Sequence, residues 1–416
     1  MIPTANYETD ETQATFIGLA GSRRIYTPDN AKHIFVCGTT GSGKTVVLSN
    51  YIKRAVDCNY PLLLVDGKGD IGGGSILDIV RRLNPSDRKL YVINLTDPDQ
   101  SDRYNPFRHT SPTIAKDMLI NLTSWSEEHY KLNAERYLQR LVLLLNRVGM
   151  SLALKEIVRH MPVAKFMELS ASLLKSGTLS KEDHADNIEI GNTSGKIAES
   201  SIARFSTIIE SEFGHLFSED GIDIYTAICE RATILFVLNP LIYPELSPLL
   251  GRLVLIDAKK AVSRLFTGDI ARSFFIMDEI NVYASKALID LVNKSRSANV
   301  TCILATQSLS DLSSAEDDNF KEQVVENCNN YIVLRQNSAV NSEQWANILG
   351  TRNTMEVTYQ LGQQDGMTAE TGLGSAKLVR EFIYHPDDIK ALKQGRAFFL
   401  SRDTGKHYKV DIHKPF

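Results

Sequence analysis

A glycine-rich turn between an apolar strand and an apolar helix constrains this 416-residue chain more than any other feature. The apolar run at residues 33–37 precedes the turn, and residues 46–56 follow it with the pattern of a helix. The turn fits G-x-x-x-x-G-K-[ST], the phosphate-binding loop (P-loop), in which glycines let backbone N–H groups surround phosphate oxygens at a helix N-terminus. Its residues are Gly38, Thr39, Thr40, Gly41, Ser42, Gly43, Lys44 and Thr45. We therefore predict a nucleotide site, with Lys44 at the β- and γ-phosphates and the Thr45 hydroxyl on Mg²⁺.

Two acidic residues end a second apolar strand. Residues 273–277 are followed directly by Asp278 and Glu279. An acid at this strand end holds the Mg²⁺ shell in P-loop ATPases, which is the role we expect for Asp278. Glu279 is then placed to orient and deprotonate the attacking water, and this favours hydrolysis that drives mechanical work. A helix cap is the alternative interpretation of Glu279.

Polar residues also follow a third strand, at residues 300–305. We expect Gln307 to lie beside the γ-phosphate, where its amide can bond both phosphate and water; the alternative is an ordinary strand-end turn. Arg296 lies between the second and third strands. In a ring ATPase such an arginine stabilises transition-state charge in the neighbouring subunit's site. The alternative is a solvated arginine favoured by a helix dipole.

Strands alternate with helices over most of the chain, which predicts an α/β fold with a mainly parallel sheet covered on both faces. Two short strands near the C-terminus are joined by Asp403-Thr404-Gly405. The other predicted strands are residues 15–19, 33–37, 61–65, 90–95, 233–238, 273–277, 300–305 and 331–335; the C-terminal pair is 396–401 and 407–412. The remaining predicted helices are residues 75–83, 196–212 and 244–265.

A helical insertion interrupts this alternation. Residues 113–181 show no convincing strand, and apolar residues recur there at helical spacing. We predict polar loops at residues 181–192 and 362–375, the second of them mobile. The segment G-N-T-S-G-K at residues 191–196 looks like a second P-loop, but it is one residue too short and no strand precedes it. Its preferred interpretation is the return from the insertion, capped by Thr193 or Ser194.

Composition excludes several classes of protein. Lys and Arg total 46 and Asp and Glu total 50, so the net charge of −4 means that DNA contact requires a local basic patch. Loops around Lys68 and residues 377–380 are candidates. The 5 scattered cysteines argue against a disulfide framework and a zinc cluster. No apolar run is long enough for a membrane span, and the N-terminus lacks a signal-peptide core.

Taken together, the motifs resemble the conjugative coupling proteins of type IV secretion systems (the TraD/TraG family), within the FtsK/HerA class of DNA-pumping ATPases. D-G-K-G-D at residues 66–70 is similar to the family's D-P-K-G-E, with Gly67 in place of proline and Asp70 in place of glutamate. Arg296 falls where the family's trans-acting arginine lies. The resemblance is carried by residues 33–45, 66–70, 104–107, 274–279, 298–308, 326–335 and 349–352.

The resemblance implies a RecA-like P-loop motor interrupted by an all-helical domain. The motor would comprise residues 1–112 and 193–416, and the helical domain residues 113–192. Family members bind ATP and Mg²⁺, form hexameric rings on the DNA backbone, and link the relaxosome and its relaxase to the secretion channel. We therefore expect a homohexamer in the active state and leave open whether the isolated chain is a monomer.

The N-terminus departs from the family, whose members usually begin with two transmembrane helices. Only 37 residues precede Gly38. We expect a cytoplasmic protein at the cytoplasmic face of the inner or plasma membrane, held there by a missing anchor or by a partner. Whether that absence reflects truncation or a natural membrane-free member stays open.

The leading hypothesis is thus a DNA-stimulated ATP hydrolase that translocates DNA as a coupling protein in conjugation. Two alternatives keep the ATPase: one recruits protein substrates for secretion, and the other pumps DNA outside conjugation. A third alternative is a nucleotide-gated scaffold with little hydrolysis, against which Asp278 and Glu279 argue.

Overall fold

A mixed β-sheet with helices on both faces organises the chain. The computed structural model describes residues 11–30, 33–122, 125, 127–266, 271–313, 319–364 and 367–416. The strands in these ranges are β1 (Ala14–Ala20), β2 (Arg23–Pro28), β3 (Ile34–Cys37), β4 (Leu62–Asp66), β5 (Leu90–Asn94), β6 (Thr233–Val237), β7 (Ser273–Asp278), β8 (Val300–Thr306), β9 (Asn330–Val333), β10 (Thr351–Gln364), β11 (Met367–Phe382), β12 (Arg396–Ser401) and β13 (Lys406–Ile412). Each predicted strand is present, with ends that differ from the prediction by at most two residues.

The helices in the same ranges supply the helical elements of the predicted alternation of strands and helices. They are α1 (Lys44–Asp57), α2 (Ile76–Leu83), α3 (Pro112–Leu122), α4 (Glu128–Arg147), α5 (Leu154–His160), α6 (Val163–Lys175), α7 (Lys181–Ile190), α8 (Lys196–Ile209), α9 (Ile224–Cys229), α10 (Leu246–Leu265), α11 (Lys286–Ser295), α12 (Phe320–Asn327), α13 (Ala339–Leu349) and α14 (Pro386–Lys390). None of the helices in the described ranges combines the length and apolarity that a bilayer crossing requires.

Parallel strands form the centre of the sheet, in the order β9-β3-β8-β7-β4-β6-β5. Strands β3, β4, β6, β7, β8 and β9 are buried along their whole length, because helices cover both faces. Helix α1 packs on one face with Val47 and Leu48, and Trp345 of α13 contacts Phe35 on the other. All seven parallel strands point the same way, so their C-terminal ends share one side of the sheet, the carboxyl edge, and their N-terminal ends share the amino edge.

Antiparallel strands extend the sheet beyond β9, in the order β12-β13-β1-β2. The C-terminal hairpin was predicted, whereas β2 was not. Phe399 of β12 pairs with Ile332 of β9, and Gly18 of β1 pairs with Ile412 of β13. The first and last strands of the chain therefore complete one sheet with the P-loop strand.

The stretch from α3 to α8 is helical, but the loop predicted at residues 181–192 is wrong. Residues 181–190 form α7, which begins where the Ser180 hydroxyl accepts the Asp183 N–H at 3.0 Å. Asn187 is buried and donates to the Ser170 hydroxyl at 3.0 Å. Local polarity therefore concealed a helix that side-chain hydrogen bonds hold in place.

The second glycine motif is neither a phosphate loop nor a capped helix start. Residues Gly191–Gly195 form a π-helical turn that joins α7 to α8. A Cβ on Gly191 would lie 2.5 Å from Met167 Cε, and one on Gly195 would lie 2.9 Å from Tyr137 Cε2. The Thr193 hydroxyl bonds the Glu189 carbonyl within the helix. These glycines therefore permit close packing between helices.

The loop predicted at residues 362–375 is also wrong, because the described residues of this range form strands. Strands β10 and β11 form a separate two-stranded antiparallel sheet, which we call the ribbon, and it includes residues 362–364 and 367–375. Asp365 and Gly366, part of the same prediction, lie outside the described residues. Residues 377–380, predicted as a DNA-contacting loop, lie in β11. Pairing between two distant polar segments satisfies their backbone groups, which local glycine content does not reveal.

A buried ionic cluster fixes the segment at residues 104–107 to α10. The Tyr104 hydroxyl donates to Asp257 Oδ2 at 3.0 Å. Lys260 Nζ lies 2.8 Å from Asp257 Oδ1 and 3.3 Å from Asp223 Oδ2, and donates to the Pro106 carbonyl at 2.7 Å. The Lys260 ammonium thus neutralises buried carboxylates and also satisfies backbone carbonyls.

Candidate functional site

A cavity of about 410 Å³ opens at the carboxyl edge of the sheet, above β3, β7 and β8. The strand ends bring together most of the residues predicted from the sequence. The predicted residues that line the cavity are Thr39, Thr40, Gly41, Gly43, Lys44, Thr45, Asp278, Glu279 and Gln307. Gly38 and Ser42 belong to the same turn but do not line the cavity.

Backbone hydrogen bonds and glycines shape the P-loop. Gly41 has φ 73° and Gly43 has φ 115°, conformations in the region that favours glycine. Gly38 N–H donates to the Thr306 carbonyl at 3.2 Å, and Thr39 N–H donates to the Arg335 carbonyl at 3.0 Å. The turn is thereby tied to β8 and to the end of β9, and α1 begins at Lys44 with its N-terminus at the cavity.

Lys44 lies at the centre of the site. Its Nζ donates to the Gly38 carbonyl at 2.8 Å and lies 3.4 Å from Glu279 Oε1. Only 8% of the residue is exposed. A buried ammonium group held at the mouth of a glycine turn is placed to contact an anion bound in that turn.

Glu279 is held between Lys44 and Gln307. Gln307 Nε2 donates to Glu279 Oε1 at 3.1 Å, and the Thr40 hydroxyl donates to Gln307 Oε1 at 3.1 Å. Glu279 has φ 49°, which is unusual for a residue other than glycine. Its side chain makes no capping hydrogen bond to the short helix that follows, so the helix-cap alternative is wrong. Polar contacts thus run from Thr40 through Gln307 and Glu279 to Lys44. They link the P-loop to the ends of β8 and β7 across the cavity.

Two carboxylates lie side by side where β4 and β7 end. Asp66 pairs with Asp278 in the sheet register, and both are buried. Burial, followed by the Asp278 charge, raises the pKa of Asp66 to about 7. Burial and the Glu279 charge raise the pKa of Asp278 to about 6. Such desolvated carboxylates favour a cation at this strand end.

Three residues from distant segments line the cavity although the sequence did not predict them there. The Lys68 loop was predicted as a candidate DNA contact, and Pro240 and Gln394 were not singled out. Gly67 has no room for a Cβ, which would lie 2.9 Å from Asp278 O and from Glu279 Cβ. Gly395 N–H donates to the Ser42 carbonyl at 3.0 Å, so the loop before β12 supports the P-loop. Only strand order places these segments here, and their local sequence carries no comparable signal.

Arg296 is not brought to this cavity. It lies exposed in a short helical turn, Arg296–Ala298, that precedes β8 at the amino edge. His33, buried at the start of β3, accepts the Cys302 N–H at 3.1 Å. Burial, and to a lesser degree the Arg296 charge, lowers the pKa of His33 to about 4. Arg296 therefore lies at the opposite side of the sheet from the site of its own chain.

Comparison with known proteins identifies the family. The family model for the type IV secretion-system coupling protein DNA-binding domain matches residues 24–413. The chain belongs to this family. The resemblance seen in the motifs is therefore confirmed, and the chain is a type IV secretion coupling protein. Over 101 residues, 24% of this chain, it is also 31% identical to an uncharacterized protein of Mycoplasma pneumoniae, 67% of which is covered.

Solved structures confirm the fold of this coupling protein. The bacterial conjugative coupling protein TrwBdeltaN70, in its unbound monoclinic form, matches with a TM-score of 0.69 at 16% identity, over 97% of this chain and 90% of that one. TrwB in complex with ADP and Mg²⁺ matches with a TM-score of 0.67 at 16% identity, over 97% and 94%. VirB4 of Thermoanaerobacter pseudethanolicus matches with a TM-score of 0.57 at 11% identity, over 97% of both chains. The predicted α/β P-loop fold with a largely parallel sheet is thus confirmed.

Proposed function

We propose that this coupling protein is an ATP-driven, DNA-stimulated translocase that links a relaxosome to a type IV secretion channel in conjugation. The observation that carries the proposal is the cavity in which Lys44, Asp278, Glu279 and Gln307 meet beside the P-loop. TrwB, which shares the fold, has been crystallised with ADP and Mg²⁺ and with a non-hydrolysable ATP analogue. These features support ATP as the substrate and Mg²⁺ as its companion ion.

In this proposal the P-loop amides and Lys44 bind the β- and γ-phosphates. The Thr45 hydroxyl and the Asp278 carboxylate are hard oxygen ligands of the kind Mg²⁺ prefers. Within the described residues, no group of three or more His, Cys, Asp or Glu side chains could hold a metal by itself. That composition suits an ion that enters with the nucleotide's phosphate oxygens. Mg²⁺ would supply neutralisation of charge on the phosphates.

Glu279 is the general base of the proposed reaction. Its carboxylate takes a proton as the water oxygen forms a bond to the γ-phosphorus, and the bond from that phosphorus to the bridging oxygen breaks to leave ADP. Gln307, 3.1 Å from Glu279, orients the water and contacts the γ-phosphate. Glu279→Gln should retain ATP binding and lower kcat by at least about a hundredfold. Glu343→Gln, an exposed change on α13, is the matched control; hydrolysis by Glu279→Gln at the wild-type rate would refute the assignment.

Arg296 acts in trans in the proposed ring. Because it lies at the amino edge, it reaches a site only if that edge faces the carboxyl edge of the next subunit. Arg296→Ala should bind ATP and hydrolyse it poorly, whereas Lys294→Ala, its exposed neighbour, should remain active.

Mixing provides the sharper test of action in trans. Arg296→Ala and Glu279→Gln should each be inactive alone. A 1:1 mixture should recover activity, since roughly a quarter of its interfaces would combine an intact glutamate with an intact arginine. A mixture as inactive as its components would overturn action in trans.

We also propose the assembly and domain division that accompany this activity. Residues 1–112 and 193–416 form the motor, and residues 113–192 form an inserted helical domain. In support, β5 and β6 pair directly in the sheet, so the chain leaves and re-enters the motor at neighbouring strands. The active form is a homohexamer around DNA at the cytoplasmic face of the membrane. Hydrolysis that DNA fails to stimulate at low salt, in protein shown to be a ring, would refute the translocase proposal and favour the protein-recruiting alternative.

A further inference from the structure

One face of the ribbon is apolar and exposed. Cross-strand partners share a face, so Met355 with Leu378, and Val357 with Ala376, form one surface that we call the apolar ribbon face. Met355 and Leu378 are each 66% exposed, and Val357 is 48% exposed. No other strand in the described ranges pairs with the ribbon. A two-stranded sheet is marginally stable in water by itself, so this face calls for a covering surface.

The charges on the ribbon do not favour nucleic acid as that cover. Arg352 pairs with Glu381, and Glu356 pairs with Lys377, so these opposite charges compensate one another across the strands. Among the charged residues of the ribbon whose side chains the structure describes, Arg380 is the one on the apolar ribbon face. Phosphate binding relies on several unpaired cations, which the described part of the ribbon does not present.

A second apolar surface lies at the carboxyl edge. Leu241 is 92% exposed and Ile242 is 61% exposed in the loop after β6, which we call the apolar loop (residues 240–243). The base of the loop is fixed: Ile242 and Tyr243 N–H groups donate to the Asn239 carbonyl at 3.2 and 2.8 Å. Pro240 lines the nucleotide cavity. The apolar loop is therefore a preformed protrusion beside the site.

The ribbon begins at the amino edge of the sheet, opposite the apolar loop. Helix α13, which leads into β10, ends near Arg402, whose Nη2 donates to the Ile348 carbonyl at 2.6 Å. Arg402 N–H donates to the Asn329 carbonyl, and Asn329 N–H donates to the His33 carbonyl. His33 and Asn329 mark the amino edge, where Arg296 also lies. Ribbon and arginine thus share one side of the sheet, and apolar loop and nucleotide cavity share the other.

We propose that the apolar ribbon face docks on the apolar loop of a second copy of this chain, head to tail. The inference rests on the proposed ring and identifies the surfaces that hold it together. Two different apolar surfaces at opposite edges form a heterologous contact, which generates a ring when the rotation between neighbours closes and an open filament when it does not. The same orientation directs Arg296 toward the neighbour's cavity. Docking of the ribbon therefore sets the distance between an arginine and the site that it completes.

Single charged substitutions test the contact. Leu378→Asp and Leu241→Asp should each raise the protein concentration needed for half-maximal assembly at least about tenfold, measured by sedimentation velocity with MgATP and DNA. Thr358→Asp, exposed and on the polar face of the ribbon, should change it less than threefold. A fluorescent ATP analogue should bind Leu378→Asp as it binds the wild type, which establishes that the variant is folded.

The outcomes separate this inference from the proposed function. Wild-type protein that stays monomeric overturns both the ring and the docking. If Leu378→Asp assembles at the same protein concentration as the wild type, the docking alone is overturned. If Leu378→Asp loses assembly while Leu241→Asp keeps it, the ribbon does not dock on the apolar loop, and the head-to-tail partner is wrong. If Leu378→Asp assembles normally yet loses binding to anionic vesicles or to DNA, a membrane or nucleic acid covers the ribbon and the inference is wrong.

Discussion

Acid should destabilise this protein through one buried histidine. His33 is 4% exposed, and its ring accepts the Cys302 N–H in the neutral form. Its pKa is about 4 in the folded chain, against 6.5 for the ordinary side chain. The unfolded chain therefore binds the proton first, and stability is lost as the pH falls from about 6.5 to about 4. The shift corresponds to about 3 kcal/mol in full, of which about 2 kcal/mol appears between pH 7 and pH 5.

Two acids at the nucleotide site have the opposite effect. The pKa values of Asp66, about 7, and Asp278, about 6, are raised above the ordinary 3.8. Their contribution to stability is present below the ordinary pKa and is lost as the pH rises through the raised values. Lowering the pH from 7 to 5 therefore stabilises the fold through Asp66 and Asp278. The pH dependence of the wild type alone cannot isolate the histidine.

Comparison with a variant that lacks the histidine isolates the contribution of His33 to the pH dependence of stability. In His33→Asn, the amide oxygen can accept the Cys302 N–H but does not titrate. Urea unfolding of both proteins without nucleotide, at pH 7 and pH 5, gives four free energies of unfolding. The wild type should lose about 2 kcal/mol relative to the variant on going to pH 5. A relative change below about 0.5 kcal/mol would refute the neutral, buried state of His33.

Two further substitutions probe packing around the motor. Lys260→Met should lower the free energy of unfolding by about 3–5 kcal/mol, because it removes the ammonium group that pairs with two buried carboxylates. Lys259→Met, which breaks a partly exposed ion pair, should cost less than about 1 kcal/mol in the same urea titration. Equal losses in the two variants would contradict the argument. Gly67→Ala places a methyl group 2.9 Å from Glu279 Cβ and should lower kcat for ATP hydrolysis about tenfold to a hundredfold with nucleotide affinity nearly unchanged. Wild-type turnover in Gly67→Ala would show that Glu279 tolerates displacement.

The sequence predicted which residues meet at the carboxyl edge of the sheet because those signals are local. A strand, a glycine turn and a helix are contiguous around Lys44. The acidic residues Asp278 and Glu279 directly follow an apolar run. Parallel strands place such ends together whatever their order. The cavity therefore assembled as expected around Gln307 as well.

What the sequence did not reveal depends on distant partners. Strand order alone brings Gln394 to the cavity, and the ribbon owes its structure to pairing between two polar segments. Helix α7 was missed for a different reason: seven of its ten residues are polar or charged, although Ser180 followed by Asp183 was a readable start signal. The sequence left two roles open for Arg296, a trans-acting arginine and a solvated arginine near a helix end, because one chain does not contain a neighbour's site.

The position of β3 has a consequence for synthesis of the chain. Its pairing partners are β8 and β9, which begin at residues 300 and 330, so the P-loop strand at residues 34–37 waits for about 260 residues before it can enter the sheet. At ribosomal rates of roughly 5–20 residues per second, that interval is about 13–50 s. Throughout it, β3 lacks both of the strands that flank it in the finished sheet. Nucleotide binding thus becomes possible only late in translation, and the motif nearest the N-terminus is among the last to become functional.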